Sequence, residues 1–234
     1  MNGCEKEESM AEKRSTLQTG AAARGDSTTR IIVVRHGESL ANAKRIYLGH
    51  IDWDLSERGH FQARRAALAL AEEKIDAVYS SDLLRAYNTA LPHAELRGLP
   101  VIKSEELREL YIGDWEGVLV ERLETEWREE FEHGWRENFG TFTPPGGESI
   151  PAARERMYNA VLKIARENLG KTVLIATHAA AIRAMWGKIA GIAPERMGSD
   201  STFPTNASVS RILFDGERLL PIEYSNDEHL REEK

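Results

Sequence analysis

Residues 31–42 read IIVVRHGESLAN, an apolar run followed at once by charged and polar side chains. The β-branched segment 31–34 is typical of a short strand that is buried on both faces. Arg35 and His36 stand where this strand would end, and Gly37 allows a tight turn or a close backbone approach behind them. We therefore expect a strand that delivers an arginine and a histidine to the carboxyl edge of a sheet.

The rest of the chain alternates predicted strands with predicted helices. Further strands are expected at 75–79, 101–102 and 172–177, with a pair at 207–214 and 219–224. Helices are expected at 56–73, 81–95, 150–168 and 179–189. The clearest helix, 150–168, has apolar residues at helical spacing along one face. This order predicts an α/β fold with a mostly parallel sheet and an antiparallel edge.

Composition limits the class of protein. Of 234 residues, 41% are apolar and 29% charged, which is ordinary for a globular domain. No run approaches the roughly 18 apolar residues of a membrane span, and we expect no secretory leader. The formal net charge of −7 argues against binding to nucleic acid or to an anionic membrane surface. The lone Cys4 excludes a disulfide framework, so we expect a cytoplasmic protein.

Both ends of the chain are predicted to be tails. Residues 1–29 are polar, mix both charge signs and lack aromatic side chains, so they bury too little apolar surface to offset the entropy of ordering. Residues 226–234, NDEHLREEK, have the same character. We therefore expect one domain at 30–225 between a disordered N-terminal tail and a flexible C-terminal tail.

Three predicted strand ends carry side chains that suit phosphate. Arg35 and His36 follow the first strand, Arg85 begins the helix after the second, and His178 follows the strand at 172–177. Arginine forks match phosphate oxygens, and an imidazole can act as a covalent nucleophile. Each residue alone has a simpler explanation, as a structural histidine or a surface arginine. Their meeting at one sheet edge favours a site that handles phosphate.

Motifs in a fixed order extend this pattern along the chain. They are RHGES at 35–39 with Asn42, Gly49-His50, LSERG at 55–59, SSDLLRA at 80–86 with Thr89-Ala90, PGGES at 145–149, and Thr177-His178 with Arg183. The set closely resembles the histidine phosphatase superfamily, which contains cofactor-dependent phosphoglycerate mutases and many small-molecule phosphatases. The resemblance spans residues 30 to 215 and implies a three-layer α/β/α sandwich of the phosphoglycerate mutase-like type.

The resemblance implies that His36 is the nucleophile and becomes a phosphohistidine. It implies that the phosphoryl oxygens are bound by Arg35, Asn42, Arg85 and His178. Adjacent guanidinium charges should lower the pKa of His36 and keep the imidazole neutral. Because the arginines supply the positive charge, we expect neither a metal ion nor another cofactor.

Glu109 matches the proton donor of the family, since a departing alkoxide needs a positioned acid near the scissile bond. Glu105, Glu106 and Glu116 compete for this role nearby. Ala179 follows the second histidine, where many family members have glycine. Its backbone N–H can still bind phosphate at a helix N-terminus, although its methyl group narrows the approach.

The acceptor of the phosphoryl group distinguishes a phosphatase from a mutase. Phosphoglycerate mutases of the family carry Arg-His-Tyr-Gly after the catalytic glutamate, whereas residues 110–117, LYIGDWEG, lack that arginine and histidine. The expected cap segment, 118–148, is acidic with few cations, which suits a substrate with one phosphate. Aromatic residues recur at every fourth position of this cap, at Trp127, Phe131, Trp135 and Phe139. That spacing predicts packing of a helix rather than substrate binding.

The sequence therefore favours a phosphomonoesterase that acts on a small phosphorylated metabolite, as a monomer or a homodimer. A phosphoglycerate mutase-type transfer is the alternative, and an inactive phosphate-binding scaffold is a third reading. The substrate stays open among sugar phosphates, phosphoserine, α-ribazole phosphate and phosphoglycerates.

Overall fold

The computed structural model describes residues 27–231; residues 1–26 and 232–234, parts of the two expected tails, lie outside the described residues. The strands are β1 (Thr29–Arg35), β2 (Ala77–Ser81), β3 (Val101–Ser104), β4 (Thr172–Thr177), β5 (Val209–Phe214) and β6 (Leu219–Asn226). The α-helices are α1 (Leu40–Ala43), α2 (Glu57–Ala69), α3 (Leu84–Glu95), α4 (Val120–Glu126), α5 (Ile150–Glu167), α6 (Ala179–Ile189) and α7 (Met197–Asp200). A π-helix covers Glu130–Glu137. Short 3₁₀ turns cover Glu105–Leu107, Gly113–Trp115, Phe139–Thr141, Pro194–Arg196 and Glu228–Leu230.

The strands form one six-stranded sheet in the order β3-β2-β4-β1-β5-β6. Strands β1 to β4 run parallel, whereas β5 is antiparallel to β1 and β6 is antiparallel to β5. The prediction of a mostly parallel sheet with an antiparallel edge is confirmed. Arg35 lies opposite Thr177 in the register of β1 with β4, so these two strands end side by side.

Side chains of the sheet alternate between two buried faces. On β1, Ile31 and Val33 pack with residues of α5 and α6, whereas Ile32 and Val34 pack on the other face with residues of α3 and the end of α2. All of these side chains are almost fully buried. Burial of one such residue stabilises a fold by about 1.5–3 kcal/mol. The chain is therefore the three-layer α/β/α sandwich that the resemblance implies.

Boundaries around the second strand differ from the prediction. β2 covers Ala77–Ser81 rather than 75–79, and α3 begins at Leu84 rather than 81. Ser80 and Ser81 remain strand residues because they pair with β3. Their polar side chains interrupt the apolar run from which a buried strand is predicted.

The domain extends into both predicted tails. Thr29 is already part of β1, and its buried hydroxyl donates to the backbone oxygen of Ala165 in α5 (2.8 Å). At the other end, Arg65 of α2 donates to the backbone oxygen of His229 (2.9 Å). Residues 226–231, which we expected in a flexible tail, are therefore folded against the domain. Hydrogen bonds to the backbone hold this polar segment in place of apolar burial.

The cap segment expected at 118–148 folds as α4, the π-helix and a 3₁₀ turn. Phe131, Trp135 and Phe139 are buried there and pack in one cluster with Trp115. These aromatic residues pack in the cap as expected, and around Phe131 and Trp135 the helix is of the π type. Trp135 differs from the expectation because it also lines the cavity described below. Within residues 27–231, no helix combines the length and the apolar character needed to cross a bilayer.

Candidate active site

The ends of β1 and β4 bring two histidines together. The backbone N–H of His36 donates to the backbone oxygen of Thr177 at 2.9 Å, directly beyond the paired residues of β1 and β4. His178 follows Thr177 and is the N-cap residue of α6. The two imidazole rings therefore meet edge to face, with their centroids 5.2 Å apart.

His36 is held in one tautomer by its own loop. Its Nδ1 lies 2.7 Å from the backbone oxygen of Gly37. Because a carbonyl oxygen only accepts hydrogen bonds, Nδ1 carries the proton and Nε2 keeps its lone pair. Burial, followed by the charges of Arg85 and Arg35, lowers the pKa of His36 well below its usual 6.5, so the ring is neutral at physiological pH. We expected this direction from the arginines, but burial has the larger effect.

Arg35 and Arg85 place buried guanidinium groups in the same cavity. Arg85 donates to the backbone oxygens of Gly49 (2.7 Å) and Ile51 (3.0 Å). Arg35 donates to the backbone oxygen of Pro204 (2.5 Å). Burial lowers the pKa of Arg35 to about 10 and also lowers the pKa of Arg85, so both remain cationic at neutral pH. Each fork keeps further N–H donors that can bind phosphoryl oxygens.

His178 is fully buried, and within residues 27–231 neither of its ring nitrogens has a hydrogen-bond partner. Its pKa lies well below the usual value, first because of burial and then because of the charges of Arg85 and His36. A buried polar group without a partner costs free energy. A phosphoryl oxygen beside His36 would supply that partner.

Glu109 reaches the N-terminus of α6. Its Oε1 accepts the backbone N–H of Ala181 (2.9 Å), and its Oε2 accepts that of Ala180 (3.2 Å). The charge of this carboxylate partly offsets the lowering of the pKa at the two buried arginines. Glu109 therefore stands close to both arginines and lines the same cavity.

The competing carboxylates stand elsewhere. Glu105 and Glu106 are exposed and take part in surface ion pairs, and Glu116 accepts a backbone hydrogen bond at 2.6 Å. Of these acidic residues, Glu109 alone lines the cavity that contains His36. Within residues 27–231, no three His, Cys, Asp or Glu side chains are grouped so that they could hold a metal ion.

Asn42 and Ala179 also line this cavity. The Oδ1 atom of Asn42 accepts from the backbone N–H of Ser39 (3.1 Å) and from Nδ2 of Asn206 (3.2 Å). The NH₂ group of Asn42 is left without an acceptor among residues 27–231. At the start of α6, Glu109 accepts hydrogen bonds from the backbone N–H groups of Ala180 and Ala181, which leaves the N–H of Ala179 available to a ligand. Both predicted donors therefore stand in the cavity with free N–H groups.

The cavity has a volume of about 290 Å³, and much of its wall is apolar. The apolar wall consists of Ile46, Leu48, Ile112, Val120, Trp135 and Phe203. Trp135, from the cap, stacks on Phe203 with the ring centroids 5.7 Å apart. Arg45 is exposed and is the one further arginine of the lining among the described residues. The cavity thus joins a polar, cationic part to a wall that suits a small, partly apolar leaving group.

Several residues that shape the site had no assigned role in the sequence analysis. The Thr89 hydroxyl accepts a backbone N–H from the loop after His36 (3.0 Å). Asn206 Nδ2 donates to the backbone oxygen of His36 (3.1 Å), and His50 Nε2 lies 2.8 Å from the backbone oxygen of Glu109. Thr89 and His50 belong to the ordered motifs, which was a signal for their importance. No local pattern in the sequence marks Asn206.

Comparison with known proteins agrees with this geometry. The model of the histidine phosphatase superfamily (branch 1) matches residues 31–227. Phosphoserine phosphatase 1 of Hydrogenobacter thermophilus is 34% identical over 203 residues, which cover 87% of this chain and 95% of the relative. Phosphoglycerate mutase-like protein 4 of Arabidopsis thaliana is 33% identical over 204 residues, which cover 86% of this chain and 87% of the relative.

Among solved structures, a mycobacterial glucosyl-3-phosphoglycerate phosphatase superposes with a TM-score of 0.75 at 27% identity. The superposition covers 83% of this chain and 96% of that one. The agreement thus extends over sequence and fold. The chain belongs to the histidine phosphatase superfamily, branch 1.

Proposed function

We propose that this protein is a phosphomonoesterase that hydrolyses a small phosphorylated metabolite through a phosphohistidine on His36, without a metal ion. One observation carries the proposal. The unprotonated Nε2 of a buried, neutral His36 belongs to the same cavity as the guanidinium groups of Arg35 and Arg85. A neutral imidazole is the nucleophilic form, and the arginines supply the positive charge that phosphoryl transfer needs.

In the first half-reaction, Nε2 of His36 attacks the phosphorus in line with the leaving oxygen. The N–P bond forms while the bond from phosphorus to the leaving oxygen breaks, and the electron pair of that bond stays on the oxygen. Glu109, in its carboxylic acid form, gives this oxygen a proton, so the leaving group departs as a neutral alcohol. The phosphoryl oxygens are bound by Arg35, Asn42, Arg85, His178 and the backbone N–H of Ala179.

In the second half-reaction, the carboxylate of Glu109 takes a proton from water. The water oxygen bonds to phosphorus, the N–P bond breaks, and its electron pair returns to Nε2 of His36. Inorganic phosphate leaves, and both residues regain their starting protonation states.

Water, rather than a second hydroxyl of the substrate, is the proposed acceptor. By their names, the relatives include both phosphatases and a mutase-like protein. Residues 110–117 lack the arginine and histidine that follow the catalytic glutamate in phosphoglycerate mutases. Besides Arg35 and Arg85, the described cavity lining offers Arg45 as its further basic residue, which favours a substrate with one phosphate. A mutase-type transfer is the second candidate.

The size of the cavity, the names of the relatives and the composition of the chain indicate the substrate class and the cellular compartment. The names of two relatives specify phosphoserine and glucosyl-3-phosphoglycerate, and a cavity of about 290 Å³ fits a metabolite of modest size. The single cysteine, Cys4, and the net charge of −7 favour a cytoplasmic enzyme that does not bind nucleic acid or membranes. We propose a monomer or a homodimer.

Turnover of p-nitrophenyl phosphate in the presence of a metal chelator tests the proposal. We expect hydrolysis by the wild type, and a loss of at least about a thousandfold in His36→Ala, because the nucleophile is gone. A phosphoenzyme that is labile in acid and stable in alkali should form in the wild type and not in this variant. His60→Ala, on the exposed face of α2, is the matched control and should keep full activity. Substantial turnover by His36→Ala would disprove the mechanism.

A second assay separates hydrolase from mutase. The protein is given 3-phosphoglycerate with a trace of 2,3-bisphosphoglycerate, and both inorganic phosphate and 2-phosphoglycerate are measured. A hydrolase releases phosphate, whereas a mutase accumulates the isomer. A scaffold does neither and also fails to hydrolyse the aryl phosphate.

A further inference from the structure

We propose that Arg156, fixed by Glu148, is a positioning residue for Glu109, and that this ion pair controls the protonation of the leaving group. The inference rests on the proposed function, in which Glu109 is the acid. Neither Arg156 nor Glu148 lines the cavity. Their effect on the reaction therefore passes through the backbone that carries the acid.

Arg156 contacts the acid-bearing segment from behind. Its Nη1 donates to the backbone oxygens of Glu106 (2.8 Å) and Arg108 (3.0 Å). Its Nη2 lies 3.4 Å from the backbone oxygen of Glu109 itself. One planar guanidinium thus contacts three backbone carbonyl groups, two that precede Glu109 in the chain and the one that belongs to Glu109. Because the fork is rigid, these contacts fix the orientation of the peptide groups from which the Glu109 side chain projects.

Glu148 holds that guanidinium in place. Arg156 Nε donates to Glu148 Oε1 (2.9 Å), and Arg156 Nη2 donates to Glu148 Oε2 (2.7 Å). This is a bidentate, charge-assisted pair of partly buried side chains, a geometry with strong directional preference. The backbone N–H of Glu148 also donates to the backbone oxygen of Tyr111 (2.7 Å). Glu148 therefore contacts the chain just beyond the acid, while Arg156 contacts it at and before the acid.

Other contacts also hold the segment that contains Glu109 to the sheet, but they act on the residues before Glu109 rather than on Glu109 itself. The Thr177 hydroxyl donates to the backbone oxygen of Leu107 (2.6 Å), and Arg108 pairs with Asp82. These bonds anchor the residues before Glu109. Among the described residues, Arg156 and His50 are those whose side chains bond to the backbone oxygen of Glu109. Of the two, only Arg156 also bonds to the neighbouring carbonyls.

A purely structural role and a positioning role predict different kinetics. Loss of a structural contact lowers activity on every substrate alike. Loss of acid positioning matters only where the leaving oxygen needs a proton. The p-nitrophenolate ion departs without protonation, whereas the alkoxide of an alkyl phosphate does not. The ratio of the two activities therefore reports on the position of Glu109.

The test compares Arg156→Gln, Arg156→Lys and Glu148→Gln on p-nitrophenyl phosphate and on phosphoserine, with Glu109→Gln as the reference. We expect kcat/KM on phosphoserine to fall about 30-fold in Arg156→Gln, while kcat/KM on the aryl ester falls less than about threefold. Arg156→Lys keeps the positive charge but loses the planar guanidinium. We therefore expect the same selective loss of kcat/KM on phosphoserine, but a smaller one. Adding Arg156→Gln to Glu109→Gln should cause little further loss.

Arg122→Gln is the matched control, because Arg122 forms a bidentate pair with Glu126 on the exposed face of α4. It should leave both activities unchanged. Equal losses on the two substrates, or no loss on either, would overturn the positioning role. If Arg156→Gln fails to fold, Glu148→Gln gives the same comparison, because it keeps the arginine but removes the carboxylate that orients its guanidinium; we expect the same selective loss on phosphoserine at a smaller size. A wild type that hydrolyses neither ester contradicts the proposed function instead, and the two failures are thereby distinguished.

Discussion

The hydroxyl of Thr89 accepts the backbone N–H of Gly37 at 3.0 Å. The same hydroxyl donates to the backbone oxygen of Arg85 at 2.7 Å. One buried oxygen atom therefore joins the loop behind His36, the proposed nucleophile, to the helix that carries Arg85. This contact sets the distance between two parts of the site that are far apart in the sequence.

Thr89→Val keeps the shape of this side chain and removes both hydrogen bonds. The buried N–H of Gly37 is left unpaired, so we expect the free energy of unfolding to fall by about 1–3 kcal/mol. Because the loop can then shift, kcat should fall about tenfold. Thr125→Val is the control, since the Thr125 hydroxyl bonds only within exposed α4. A variant with unchanged kcat would show that the loop is positioned by other contacts.

Gly59→Ala should disturb the same loop by steric contact. A Cβ atom at Gly59 would stand 2.0 Å from the backbone oxygen of Glu38, in the turn that follows His36. We expect a loss of about 3 kcal/mol in unfolding free energy, measured by denaturant titration, and reduced kcat/KM. Gly98→Ala is the control: its φ of +61° costs about 1–2 kcal/mol, but its Cβ meets no atom within 4 Å. It should therefore keep full activity.

Stability should fall with acidification because buried histidines resist protonation. Burial lowers the pKa of His93 to about 3 and the pKa values of His36 and His178 well below 6.5. The contribution of His93 is fully present above the unfolded pKa of 6.5 and is lost as the pH falls from there toward 3, at about 1.4 kcal/mol per pH unit. His36 and His178 act in the same direction.

His93→Leu tests this dependence away from the active site. Neither ring nitrogen of His93 has a hydrogen-bond partner among residues 27–231, so leucine removes a group that is costly to bury. Relative to the wild type, the variant should gain about 2 kcal/mol of unfolding free energy when the pH is lowered from 7.5 to 5. Parallel pH curves for the two proteins would contradict the assignment.

Arg45 combines a strained backbone with a free charge. Its φ is +55°, it lines the cavity, and within residues 27–231 its guanidinium has no partner. Arg45→Gln should raise KM about tenfold for a substrate whose leaving group carries a carboxylate, and should leave KM for p-nitrophenyl phosphate unchanged. Arg45→Gly should do the same and also stabilise the fold by about 1 kcal/mol. Lys44→Gln, beside it but outside the lining, is the control.

The layout of the fold was predictable because it depends on local patterns. Short β-branched runs such as 31–34 and 172–177 mark buried strands, and amphipathic spacing marks α5. Once the strands are parallel, Arg35 and His178 must meet at one edge, whatever the details of packing. The position of the candidate site at this edge was therefore predictable from the sequence.

What the sequence did not predict depends on distances between remote segments. Arg156 looks like any polar residue of an amphipathic helix, and only the rotation of α5 against the sheet shows that it faces three carbonyl groups. The polar segment 226–231 was expected to be flexible because composition does not reveal that the Arg65 side chain of α2 donates hydrogen bonds to the backbone oxygen of His229. Likewise, neighbouring charges are visible in a sequence, whereas the burial that most strongly lowers the pKa of His36 is not.

Different parts of the structure hold the residues proposed for catalysis and the residues that line the apolar wall of the cavity. His36 and His178 stand at the ends of the paired strands β1 and β4, whereas Ile46 and Val120 reach the cavity as half-buried side chains outside the sheet. We therefore expect mutations at Ile46 and Val120 to leave the sheet undisturbed. Natural drift or a small directed-evolution library at these two positions should then change which alcohol is accepted, while the proposed phosphoryl-transfer residues keep their positions.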